Sequence, residues 1–240
     1  MFLDYPYKIF NIKEFLSNDE LIYLDKLVEQ FNVSKLEGQL DLLLWNNEIE
    51  DKFKLSYPTE YNRIKSTKIY TYDDFKLMVD LNEEIKHVEK KYFNFRLSSD
   101  IDDHESIYEM YDKIFRLVCE KIYNKDIKNH NNIKRIPNRI NVYPNGSFLL
   151  KHRDGVEDGQ RIFTMLFFIN KNWDKGDGSL FKLYDENETF IEVIPNYENV
   201  VIIEHTNFNL IHEVTKNLSD KMRYSIFCPF TINDYNTIFS

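Results

Sequence analysis

An α+β fold, with a helical first half followed by a closed β-barrel or double-sheet jelly roll, is predicted by three observations in this 240-residue chain. The apolar period stays near 3.6 until a polar break at residues 124–134 and then moves toward 2. Eight short β-rich runs follow the break, separated by Gly, Asn, Asp and Pro. Hydrophobic residues make up 42% of the chain, enough for a substantial core and against intrinsic disorder.

The helical half opens on Ser17-Asn18-Asp19-Glu20, a capping-box pattern. Leu21, Leu24, Leu27, Val28 and Phe31 follow it on one helical face. A second helix is predicted over about 73–92 with Phe75, Met78, Leu81, Ile85 and Val88 as its stripe, and a third over about 106–123. These stripes read as core. The strands are predicted over 139–143, 147–152, 161–170, 180–184, 189–193, 200–204, 210–215 and 223–229. Residues 1–135 thus form a helical support region and 136–240 a β-core. The linker is too short to demand two independent domains.

Composition bounds the function classes. The chain has no alanine and 25 asparagines, a bias that speaks of an AT-rich coding genome rather than of function. A formal charge of −9 disfavours phosphate backbones and anionic membranes, so neither a nucleic acid nor a membrane is expected as partner. Cys119 and Cys228 lie far apart in apolar surroundings without metal or redox spacing and read as buried thiols. No stretch approaches the ~18 apolar residues of a membrane span, and the N-terminus lacks a leader's apolar segment. A cytoplasmic protein is expected, of unspecified oligomeric state.

Five of the six glycines (Gly146, Gly155, Gly159, Gly176 and Gly178) fall in one short stretch of the β-half. In that stretch His152 and Asp154 are spaced i, i+2, which on a strand turns an imidazole and a carboxylate to one face. His212, 58 residues beyond Asp154, can supply a third ligand from a later strand. Two histidines and a carboxylate leave open positions on an octahedral ion, an arrangement suited to non-haem Fe(II) and oxygen.

The surrounding runs are INVYPNGSFLLKHRDG, RIFTMLFFINKNWDKGDGSL, FIEVIPNYENVVIIEHTNFNLIHEVTK and KMRYSIF. Together, over residues 139 to about 227, they resemble the 2-oxoglutarate and Fe(II)-dependent oxygenases, in particular the prolyl-4-hydroxylase-like branch. The resemblance implies a double-stranded β-helix (jelly-roll) core. It makes His152, Asp154 and His212 the iron ligands and Arg223 the partner of the 2-oxoglutarate C5 carboxylate. A guanidinium fork suits that role. Ser225, in Arg-x-Ser spacing, matches a serine that touches the same carboxylate in other branches. Tyr143 matches a tyrosine lining the cosubstrate pocket, and Gly146 completes its Tyr-x-x-Gly turn. Arg161 matches a basic position near the substrate entrance; a solvated strand-end arginine explains it equally well. His205 is the rival third ligand, and the His-Glu-Val string with its following basic residue favours His212.

Two positions depart from the pattern. Phe168 stands where the oxygen-sensing members have a second tyrosine on the carboxylate, so that hydrogen bond must come from elsewhere, for instance Ser225 or Thr164. Asp177 replaces the first glycine of a Gly-Gly-x-Leu element. Trp173 reads as a cap on the core beside that turn, and the glycines as turns bracketing the site.

The implied cofactors are Fe(II), 2-oxoglutarate and O2, with ascorbate admitted. The implied reaction is hydroxylation of an unactivated carbon, with a prolyl residue of a peptide or protein as the leading expectation. A free amino acid or small metabolite is the alternative substrate, because fold does not settle function. Asp154 argues against a halogenase, whose halide would need the carboxylate's position. From another class, a non-catalytic jelly-roll binding protein is the competing reading.

Overall fold

A computed structural model describes residues 8–11, 16–29, 37–39, 47–84, 97–100, 113, 116, 133–135, 139–153, 161–185, 187–196, 199–204 and 211–232. In chain order the first elements are β1 (Lys8–Asn11), α1 (Asn18–Glu29), β2 (Glu37–Gln39), α2 (Asn47–Ser56), α3 (Pro58–Thr67) and β3 (Ile69–Thr71). Then come α4 (Tyr72–Glu84), β4 (Leu97–Asp100), β5 (Ile133–Arg135), β6 (Arg139–Tyr143), β7 (Leu149–His152) and β8 (Arg161–Phe168). The last five strands are β9 (Phe181–Tyr184), β10 (Phe190–Val193), β11 (Asn199–Glu204), β12 (Ile211–Val214) and β13 (Arg223–Ile232).

The capping box at α1 forms as the sequence predicts: the Ser17 amide donates to Glu20 Oε2 at 2.6 Å and the Glu20 amide to Ser17 Oγ at 3.3 Å. Helix α4 begins on a second reciprocal cap, Thr71 with Asp74, and Asp74 also pairs with Arg63. Its stripe Phe75, Met78 and Leu81 is buried. Ile85 and Val88, and the predicted third helix apart from Lys113 and Arg116, lie outside the described residues. Helices α2 and α3 were not among the predicted elements. Their signals are present: Ile49 and Phe53 at i, i+4, both buried, and Pro58 at the first turn of α3. Each large apolar side chain buried here contributes about 1.5–3 kcal/mol.

All eight predicted β-half strands are present, within a few residues of the predicted ends. They divide into two antiparallel layers. The larger sheet contains β11-β8-β13-β6, and the smaller is β10-β9-β12-β7. Successive strands alternate between the layers except for the hairpin β9–β10, and the inner faces share one core. Leu166, Phe168, Val201 and Ile203 of the larger sheet meet Phe181, Leu183, Val193 and Val214 of the smaller.

The first half also contributes strands, which the reading of it as a helical support did not include. Strand β1 pairs with β11, and β4 with β6, so that β4-β2-β3 extends the larger sheet on its other side. The outer face of this sheet is buried too: Ile140, Val142, Met165, Phe167, Ile226 and Cys228 are each fully covered. Val79 of α4 packs so closely on Gly146 that a Cβ there would meet Val79 Cγ1 at 2.8 Å. Asp25 of α1 pairs with Lys171 at 2.6 Å.

Candidate active site

Strands β7 and β12 are antiparallel with His212 directly opposite His152. Cross-strand pairs on one face stand close, and the two imidazole centroids are 4.2 Å apart with planes tilted by 57°. His212 is buried at 4% exposure. The register therefore seats His212 beside His152, while His205 lies outside the described residues. His152 Nδ1 is 2.6 Å from the Leu150 carbonyl oxygen. A carbonyl oxygen only accepts, so Nδ1 carries the ring proton and Nε2 the lone pair, the form in which imidazole ligates a metal. Asp154 lies outside the described residues, and among these no third His, Cys, Asp or Glu joins the two imidazoles.

The opposite wall is built by β13 between β6 and β8. Arg223 stands opposite Tyr143, and Ser225 has Asn141 on one side and Phe168 on the other. Arg223 is buried at 1% exposure. Its guanidinium carbon lies 4.5 Å from the Tyr143 ring centroid and 4.9 Å from that of Phe168. Its Nη1 donates to Ser225 Oγ at 3.0 Å. Rings over its faces hold the cation by cation–π attraction and leave its N–H edge to meet an anion. Phe181 bridges the walls, its ring 6.0 Å from Phe168 and 5.6 Å from His212. One cavity is lined by His152 and His212, by Asn141, Tyr143, Arg223 and Ser225, and by Leu149, Leu166, Phe181, Ile203, Val214 and Phe227.

Phe168 thus replaces a hydroxyl with a hydrocarbon face against Arg223. Ser225, not Thr164, is the nearby hydroxyl on this wall, since Thr164 pairs with Pro229, four residues further along β13. Arg161 opens β8 opposite Thr231; its side chain lies outside what is described, as do Gly155 and Gly159. Gly146 has φ +85° in the turn leading to β7, a conformation that favours glycine.

The Asp177 departure has a local cause. Asp174 and Asp177 form a capping box on a short 3₁₀ turn, Lys175–Asp177. Asp177 Oδ2 accepts from the Asp174 amide at 3.0 Å and from Lys221 Nζ at 2.8 Å. These contacts, the lysine first, hold the Asp177 carboxyl down at about 2. Trp173 is buried beside the turn and donates Nε1–H to the Gly178 carbonyl at 2.8 Å, the capping role read from the sequence.

One positioning residue escaped the sequence reading. Asn217, fully buried, donates from Nδ2 to the carbonyls of Tyr143 at 2.7 Å and Lys221 at 2.9 Å, and its Oδ1 accepts from the Ser219 amide at 2.9 Å. It ties the end of β6 to the loop that delivers Arg223. No short motif marks it, because its three partners come from both sides of the chain.

Behind the imidazoles, on the smaller sheet's outer face, the Tyr184 hydroxyl donates to Glu213 Oε1 at 2.7 Å. Burial, then that carboxylate, pushes the phenol up, so it stays a donor.

Two antiparallel layers that exchange strands around a cavity, with paired imidazoles on one wall and a buried guanidinium on the other, define a double-stranded β-helix oxygenase. Residues 138–231 match the family model of the 2OG-Fe(II) oxygenase superfamily. This stretch is a 2-oxoglutarate-dependent dioxygenase domain, of a class that uses Fe(II), 2-oxoglutarate and O2. The donors present fit those groups: lone-pair imidazoles suit iron, and a stacked guanidinium with an adjacent hydroxyl suits a carboxylate.

Among solved structures, the chain is similar to a prolyl-4-hydroxylase from Pseudomonas putida, at 18% identity and TM-score 0.47, covering 66% of this chain and 88% of that one. It is also similar to a prolyl hydroxylase from Trichoplax adhaerens in complex with a hypoxia inducible factor peptide fragment, at 15% identity and TM-score 0.48, covering 90% and 94%. A viral collagen prolyl hydroxylase from Paramecium Bursaria Chlorella virus-1, in a 2OG complex, matches at 13% identity and TM-score 0.45, covering 58% and 80%.

Proposed function

We propose that this chain hydroxylates an unactivated carbon of a prolyl residue in a peptide or protein, with His152, Asp154 and His212 holding Fe(II) and Arg223 anchoring 2-oxoglutarate. The observation that carries this reading is the sharing of one cavity by the His152–His212 pair and the buried Arg223–Ser225 pair. The order and spacing of Tyr143, Gly146, His152, Asp154, His212 and Arg223 support the prolyl-4-hydroxylase-like branch and, with it, a peptidyl substrate. Two cysteines without redox spacing support a cytoplasmic setting.

When bound, iron and 2-oxoglutarate supply the oxidising chemistry with O2. The protein supplies position and charge. Leu150 holds the His152 tautomer through its carbonyl. Tyr143 and Phe168 clamp the guanidinium in place before an acid arrives, so little order is lost on binding. The apolar walls exclude water, which strengthens the ion pair Arg223 offers.

Anaerobic addition of Fe(II) and 2-oxoglutarate should give their visible charge-transfer band, and Asp154→Ala should abolish it. An unchanged band in that variant overturns the ligand assignment. Succinate formation over a panel of prolyl peptides, proteins and free amino acids tests the substrate class. Stimulation by free amino acids alone overturns the peptidyl reading.

A further inference from the structure

Asn141 lies in the middle of β6, two residues before Tyr143, so the alternation that turns Ile140 and Val142 to the outer face turns Asn141 and Tyr143 inward. It is 3% exposed and lines the same cavity as Arg223 and Ser225. Across three strands its rung reads Asn141, Ser225, Phe168: an amide, a hydroxyl and a hydrocarbon ring. The next rung is Tyr143 with Arg223.

A buried primary amide carries two N–H donors and an acceptor oxygen, and removing these from water without partners is costly. No hydrogen bond joins the Asn141 carboxamide to another described residue. A purely packing role on this inward face would suit leucine or valine better. The neighbouring groups point to an anion instead. Ser225 Oγ already accepts from Arg223 Nη1, which turns its own proton away from the cation and toward the cavity. The rings of Tyr143 and Phe168 cover the guanidinium faces, so an entering carboxylate meets its N–H edge. One carboxylate offers about four acceptor sites, more than Arg223 and Ser225 together fill.

We propose that Asn141 is a further cosubstrate-binding residue, its Nδ2–H donating to the far carboxylate of 2-oxoglutarate beside Arg223 and Ser225. The assignment rests on the reading of this cavity as the 2-oxoglutarate pocket. Asn141 stands across Ser225 from Phe168, so the rung regains on one side a donor that the phenylalanine does not offer on the other.

The test is calorimetric binding to the Mn(II)-loaded full chain without oxygen, using 2-oxoglutarate and 2-oxopentanoate, which keeps the keto acid and lacks the far carboxylate. Asn141→Ala should weaken 2-oxoglutarate about tenfold, as expected for a hydrogen bond to a charged group, and leave 2-oxopentanoate within about twofold. Asn141→Asp, matched in size and shape, should weaken 2-oxoglutarate further by opposing one carboxylate with another. If Asn141→Ala fails to melt cooperatively, the aspartate variant decides. Unchanged 2-oxoglutarate affinity, or equal weakening of both ligands, overturns the assignment while the pocket reading stands. A parent protein that binds no 2-oxoglutarate overturns both.

Discussion

His212 stands directly across from His152 in the β7–β12 pair, with ring centroids 4.2 Å apart. The two imidazoles come from strands about sixty residues apart in sequence, yet share one rung of the smaller sheet. His212→Ala should therefore lower Mn(II) or Fe(II) affinity by at least about a hundredfold, as for the loss of one of three protein ligands. Metal titration calorimetry checks this. The melting temperature of the metal-free protein should move little by comparison, since only one ring contact with Phe181 is lost from the core.

Arg223 is held by two rings and one hydroxyl. Lysine keeps the charge but lacks the planar fork that stacks and donates in parallel. Arg223→Lys should weaken 2-oxoglutarate by about 2 kcal/mol, and Arg223→Gln by about 3 kcal/mol or more, from the loss of charge-assisted hydrogen bonds. Binding calorimetry separates the two. Equal affinity of the lysine variant and the parent would count against a stacked, bidentate anchor.

Asn217 makes three hydrogen bonds that hold Tyr143 and the Lys221 loop together. Truncation to alanine leaves the Tyr143 and Lys221 carbonyls without these donors. Asn217→Ala should cost about 2–4 kcal/mol in urea unfolding. It should also weaken 2-oxoglutarate binding, because Tyr143 stacks on the anchoring guanidinium. Asn217→Asp, which keeps the Ser219 contact only, should fall on the same side.

The Asp177–Lys221 pair predicts a pH dependence. The folded-state carboxyl is held at about 2, below its ordinary unfolded value of about 3.9. Its contribution is therefore complete above that unfolded value and is lost as pH falls toward 2. Lys221 is half exposed, so screening limits the pair to about 1 kcal/mol or less. The stability difference between the parent and Lys221→Met should be largest near neutral pH, narrow between about pH 5 and pH 3, and shrink in about 0.5 M salt. Urea unfolding across that range measures it; a gap that widens on acidification contradicts the sign.

Much of the β-half was legible because its signals are local. Alternation, turn residues and glycine placement marked eight strands, and the i, i+2 spacing marked a strand face that includes His152. Helices α1 and α4 were legible through their caps and stripes. Strands β1 to β4 were not. Runs such as EGQ and LSSD carry no alternation, and they become strands because the larger sheet presents open backbone edges beside them. Asn141 and Asn217 were equally silent, since asparagine is abundant throughout this chain and burial alone distinguishes these two.

The sequence by itself determined the chemistry available, the α+β class and the kind of site: two histidines at the right separation and an arginine eleven residues beyond His212. Only the tertiary structure decided that His212 meets His152, that Phe168 and Tyr143 enclose Arg223, and that Asn141 shares a rung with Ser225. The reason is physical. Periodicity and turn chemistry act over a few residues and are written locally. Register between strands is set by the joint packing of two sheet faces and the hydrogen bonding of distant edges, which a one-residue slip would invert.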